Sequence, residues 1–139
     1  MYKELISENS KDNPWVKIQP PATPQEIQKA ENIVGCTFPN GLKELLSELN
    51  GDSYLILSTG EISENCLRNR EYLKECYEDI DRHIFFAGNG CGDYYCYNIT
   101  HTGKADTSAI YIWEHETNEM HIVAKNIKEL IIRYYNSEI

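Results

Sequence analysis

Five cysteines, four histidines and one glycine-rich run are the residues of this chain that could do chemistry. The strongest metal motif to test is His115-Glu116 with His121. A zincin pair grips its ion because two histidines lie four residues apart on one helical face. Here the separation is six residues, across a polar stretch between two apolar runs, so the pair does not form. Cys91 and Cys96, taken with His83 or His101, lack any recognised ligand spacing, and no CxxC pair occurs. An odd cysteine count without such pairs reads as reduced thiols rather than a disulfide framework. Gly88-Asn89-Gly90-Cys91-Gly92 superficially matches a phosphate-cradling loop. Such loops present backbone amides at a helix N-terminus, whereas these glycines run into Asp93-Tyr94-Tyr95-Cys96-Tyr97, which reads as a strand. A tight turn with positive φ is the better account. No nucleophile elbow is present, and Cys36 and Cys96 are expected to be buried as small hydrophobes. The sequence thus predicts no metal, no cofactor and no enzyme.

What remains is surface. Thirteen basic against twenty-two acidic residues give a formal net charge of −9, a field that repels nucleic acid and anionic lipid and speeds encounter with basic proteins. The same charge also serves solubility. Acidic residues gather in the middle of the chain at Asp52, Glu61, Glu64, Glu71, Glu75, Glu78, Asp79 and Asp81. An acidic face suits a basic protein partner. Tyr94, Tyr95 and Tyr97 alternate along their strand, and the expectation is one core face and one face of exposed phenol rings, which favour protein interfaces. The candidate partner-binding residues are therefore Asp52, Tyr54, Glu61, Glu64, Asp93, Tyr94 and Tyr95. Asp93 has a second reading, as an acceptor for the turn's own amides.

The elements that must position them follow from caps and periodicity. Thr23-Pro24-Gln25-Glu26 is a capping box with proline in the first turn; it opens a helix to about Val34, with Ile27, Ala30, Ile33 and Val34 as its stripe and Gly35 as its stop. A second helix runs from about Pro39 to Asn50-Gly51 on Leu42, Leu45, Leu46 and Leu49, and Tyr2 to Ser7 is a short candidate. Tyr54 to Leu57 reads as a short strand, Glu61 to Leu67 as irregular or extended, and Asn69 to Tyr77 as a short exposed helix. His83–Ala87, Asp93–Asn98, Ala109–Trp113 and Met120–Ala124 then alternate as strands with short links, which implies an antiparallel meander. Asn126 to Glu129 caps a last helix on Ile127, Leu130, Ile131 and Tyr134. The expected class is α+β, a meander with helices packed on one face.

At 139 residues this is one domain, with residues 1–19 as an N-terminal extension to a core of about 20–135. The polar N-terminus, with no apolar leader and no membrane-length run, points to the cytoplasm.

The order of these signals resembles the SUKH superfamily, the Smi/Knr-like proteins. "PATPQEIQKAENIVGCTFPNGLKELLSELNG" is similar to that family's opening pair of helices, "FFAGNGCGDYYCYNI" to its central strand, turn and strand with the Gly92-Asp93 pair, and "AIYIWEHETNEMHIVAKNIKELI" to its closing hairpin and helix. The resemblance implies an α+β domain that works by binding. In its bacterial members it implies an immunity protein of a polymorphic toxin system, neutralising a cognate toxin domain stoichiometrically. In the fungal members it implies a regulatory scaffold, whose long disordered flank has no counterpart in this sequence. The implied partner is a toxin protein, not nucleic acid or membrane, and the domain itself is expected as a monomer or weak homodimer.

Overall fold

The computed structural model describes all 139 residues, Met1–Ile139. Helices α1 (Tyr2–Asn9), α2 (Pro24–Val34), α3 (Asn40–Glu48) and α4 (Thr59–Leu73) precede strands β1 (His83–Gly88), β2 (Tyr94–Asn98), β3 (Ile110–Glu114) and β4 (Glu119–Ala124), and α5 (Ile127–Tyr135) closes the chain. The strands pair antiparallel in the order β1-β2-β3-β4, so the fold is the α+β meander that the sequence predicts. No helix is long and apolar enough to cross a membrane.

The caps act as their residue types require. Thr23 Oγ1 accepts the Glu26 amide at 3.1 Å while the Glu26 carboxylate accepts the Thr23 amide at 3.0 Å. Gly35, at φ 85°, ends α2 by donating its amide to the Glu31 carbonyl. At α5 the Asn126 side chain accepts the Glu129 amide, but Glu129 reaches one residue further back than in a capping box, to the Lys125 amide.

The middle of the chain departs from the expectation. Glu61 to Leu67 is neither irregular nor extended, and no separate helix covers Asn69 to Tyr77; both lie largely in the fifteen-residue α4. Its start is a second capping box, Ser58 with Glu61. Its buried strip is only Thr59, Ile62, Ser63 and Cys66, half of it polar, so the apolar period is faint. Beyond Leu73 the chain turns on the Leu73 carbonyl, which accepts the Cys76 and Tyr77 amides. Tyr54 to Leu57 is likewise not a ladder strand. Ile56 makes a single bridge to Ala87, while Leu57 donates to the Phe86 carbonyl and Gly88 to that of Leu55, so the segment covers the outer edge of β1.

Side chains alternate across β2. Tyr95 meets Tyr134 of α5 at 5.9 Å between ring centroids, and α1 packs on both α5 and α3, which builds the expected helical layer. To that layer α4 adds cover on the opposite face, where Tyr94 donates its hydroxyl to Asn65 Oδ1 at 2.6 Å and Cys66 sits against β1. Phe85, Tyr94 and Trp113 pack together on this side, Phe85 lying 5.0 Å from each of the other two rings. Residues 1–19, expected as an extension, are built into the domain: Tyr2 and Ile6 are buried in the core, and the Met1 amino group pairs with Glu48 at 2.8 Å.

Candidate partner-binding surface

Four of the seven candidate residues prove to be occupied inside the fold. Asp52 is fully buried. Its Oδ1 accepts the amides of Tyr54, Leu55 and Ile56 at 3.0, 2.8 and 2.8 Å, and its Oδ2 accepts the Tyr135 hydroxyl. Burial, reinforced by the Asp52 charge, pushes the Tyr135 phenol upward. The expectation that Asp52 meets a partner is therefore corrected: it folds the segment after Gly51 and clasps α5. An aspartate ahead of free amides makes this kind of turn, and Asn50-Gly51-Asp52-Ser53 carries the signal. A Cβ on Gly51, at φ 90°, would stand 2.9 Å from the Ser58 nitrogen, so the turn is tight as well as polar.

Asp93 takes the second of its two readings. Its Oδ1 accepts the His115 amide at 3.1 Å and lies 2.6 Å from His115 Nδ1, which fastens the β1–β2 turn to the β3–β4 turn. Partial burial pulls the Asp93 carboxyl upward, yet the hydrogen bonds from the His115 ring and amide and from Asn89 hold it below its ordinary value. The His115 ring covers Gly92, φ 95°, where any Cβ would come within 2.8 Å of it. Tyr95 is buried, and burial pushes its phenol to about 12. Tyr94 is half-buried beneath α4. The exposed face of phenol rings expected on β2 does not exist, because helices cover both sides of the strand.

Three candidates do face solvent. Glu61, Glu64 and Glu71 lie on the outer side of α4, with Glu75 exposed just past its end, and Glu64 pairs with Arg68 one turn on. The same helix exposes Leu67 and Tyr72, the latter by 74%. Tyr54 is exposed over the C-terminal end of α5, its ring stacked on Tyr135 at 6.0 Å and edge-on to Tyr134 at 6.1 Å. Near Tyr135 stands a residue that the sequence reading passed over, Trp15, 71% exposed. An indole in the polar break after Asn13-Pro14 was the available sign.

The histidines and cysteines do not assemble into a catalytic group. His115 is held by Asp93, while His121 lies 3.2 and 3.3 Å from Glu114 and Glu119. Those last three bring their donor atoms within 4.8 Å of one another, an open, solvent-facing set that could hold a cation from one side. Cys36, Cys66 and Cys96 are buried; burial raises the Cys66 thiol to about 11 and pushes Cys96 upward too, so neither supplies a thiolate near neutral pH.

Helices on a four-stranded antiparallel meander, with the conspicuous polar residues of the turns used as fasteners, define an α+β domain whose unoccupied chemistry lies on its open surface. The model of the SMI1 / KNR4 family (SUKH-1) matches residues 21–133, and the chain belongs to this family. It is not a known enzyme family, and its membership points to protein–protein interaction. No curated protein matches the chain.

Proposed function

We propose that this protein is an immunity protein, which binds a cognate toxin domain in the cytoplasm stoichiometrically and blocks its active site or substrate path. The family membership over residues 21–133 carries this reading. The surface supports it: a net charge of −9 and the exposed carboxylates of Glu61, Glu64, Glu71 and Glu75 suit a basic, nuclease-type partner, because they compete for the cationic groups that such a protein uses on phosphates. Exposed Tyr54, Tyr72 and Leu67 supply the large contact area that charge alone lacks.

The test is the toxin domain encoded beside this protein's gene. Mixed with the purified protein, it is expected to form a one-to-one complex and lose its activity. The double variant Glu61→Lys, Glu64→Lys is expected to weaken that complex by about tenfold or more, mostly through slower association at low salt. A neighbouring toxin that is neither bound nor neutralised overturns the proposal, and capture of several cellular proteins instead would favour the scaffold role.

A further inference from the structure

Between the end of α1 and the end of α5 lies a cleft of about 610 Å³, lined by residues 8–15 together with Tyr135 and Asn136. Every one of these residues falls outside the 21–133 span matched by the family. The two flanks meet there because α1 packs on α5 and Asn136 Nδ2 donates to Asn9 Oδ1 at 2.9 Å. The cleft is thus built by the two segments that flank the matched span.

Its exposed charges are mainly acidic. Asn9 Nδ2 donates to the Leu5 carbonyl, the Ser10 hydroxyl to that of Ile6, and Asn136 Nδ2 to Ile132 as well as to Asn9. These donors are engaged by the cleft's own walls, and Asn13 accepts the Trp15 amide on its Oδ1. What the walls present outward is the carboxylates of Glu8 and Asp12, with Lys11 as the sole cation. The aromatic walls are Trp15 and Tyr135, and Asp52 lies behind Tyr135 as the acceptor of its hydroxyl. Carboxylates beside the exposed Trp15 indole accept a planar cation that donates hydrogen bonds and stacks.

We propose that this cleft binds an arginine side chain of the partner protein, and that the flanking segments, rather than the family core, select which partner is bound. This rests on the binding role proposed above and narrows it to one place. Tyr54, stacked on Tyr135, continues the cleft's aromatic wall onto the exposed surface.

The two tryptophans make the test direct, since Trp113 is buried and bonded to Asn118 while Trp15 is open. The probe is the peptide acetyl-(Arg-Gly)3-amide, titrated into the full chain at moderate salt. Saturable change in tryptophan fluorescence is expected, with amide chemical-shift changes confined to residues 8–15, 52–54 and 134–136. Asp12→Lys should weaken the arginine peptide at least tenfold, and so should Trp15→Ala, read by chemical shift. Glu116→Lys, on the β3–β4 turn, should leave it within twofold, and the lysine version of the peptide should bind several-fold less tightly. All three positions are exposed, so retained amide dispersion verifies folding. Shifts spread over the whole surface, or equal loss from Asp12→Lys and Glu116→Lys, would mean diffuse charge attraction and overturn the proposal. With the toxin in hand the two readings separate. Full-strength neutralisation by the Trp15→Ala and Asp12→Lys proteins sinks the cleft but leaves the immunity role standing. Peptide binding in the cleft with no toxin captured does the reverse.

Discussion

Asp52 and Glu64 are both acids of the central stretch, yet the fold uses them in opposite ways. Asp52 is enclosed, with three backbone amides and a phenol hydroxyl donating to it, whereas Glu64 stands on the open side of α4 beside Arg68. A buried carboxylate is tolerated only where donors replace its water, so its position is dictated by the backbone around it. An exposed one is constrained by little more than helix geometry. Acids that look alike in sequence therefore divide into those that build the surface's frame and those that are the surface.

The sharpest way to break this division is at Asp52. Replacement by alanine leaves three amides and a hydroxyl without their acceptor, and a loss of about 3–5 kcal/mol is expected. Asp52→Asn keeps one acceptor oxygen and should lose less. Denaturant melts of the two variants check the order; an alanine variant as stable as the parent would show that the carboxylate is not a frame element at all.

Gly92 probes the second fastener. Alanine there must hold φ near 95° and push the His115 ring from its place over the turn. Backbone strain of that kind costs about 1–3 kcal/mol, again readable by melt, and the His115 ring resonances should move while those of His121 do not.

Acid dependence tests the same corner by charge. The Asp93 carboxyl titrates below its ordinary value in the folded state, so the unfolded chain takes up the proton first. Its contribution is complete above a pH of about 4, the usual aspartate value, and is lost as the pH falls through the folded value. His83 acts at higher pH. Burial, opposed by the charge of Asp79, lowers its imidazole, so stability begins to decline as the pH drops below about 6.5, where the unfolded imidazole takes its proton. Thermal midpoints measured from pH 7 to pH 3 should fall in two stages. Asp93→Asn should flatten only the lower one.

How legible all this was depended on whether a signal was local. The capping box at Thr23, the Asn126 cap and the Gly35 stop need only neighbouring residues, and α2 and α5 stand where those residues put them. The Ser58…Glu61 box was equally local. It was masked because α4 buries two apolar side chains and two hydroxyls on its strip, so no apolar stripe followed the cap. Tyr95 failed for a non-local reason. Period-2 alternation says that Tyr94 and Tyr95 face opposite ways, but not that α4 and α5 cover both faces. The Asp93–His115 contact joins turns 22 residues apart, and the cleft at Trp15 joins the two ends of the chain. Nothing in a linear pattern announces either.

The smallest expected effect on stability is the most useful for function. Glu64→Lys removes an exposed i,i+4 pair with Arg68 and places like charges one turn apart; the change in unfolding free energy should stay within about 0.5 kcal/mol. Glu61 is a poorer choice for the same purpose, since its carboxylate also accepts the Ser58 amide that starts α4. If Glu64 is surface and nothing else, Glu64→Lys melts like the parent and still binds a basic partner more slowly, with the difference shrinking as salt is raised. A clear loss of stability would place Glu64 with Asp52 among the residues of the frame, and the division between the two kinds of acid would have to be drawn elsewhere on α4.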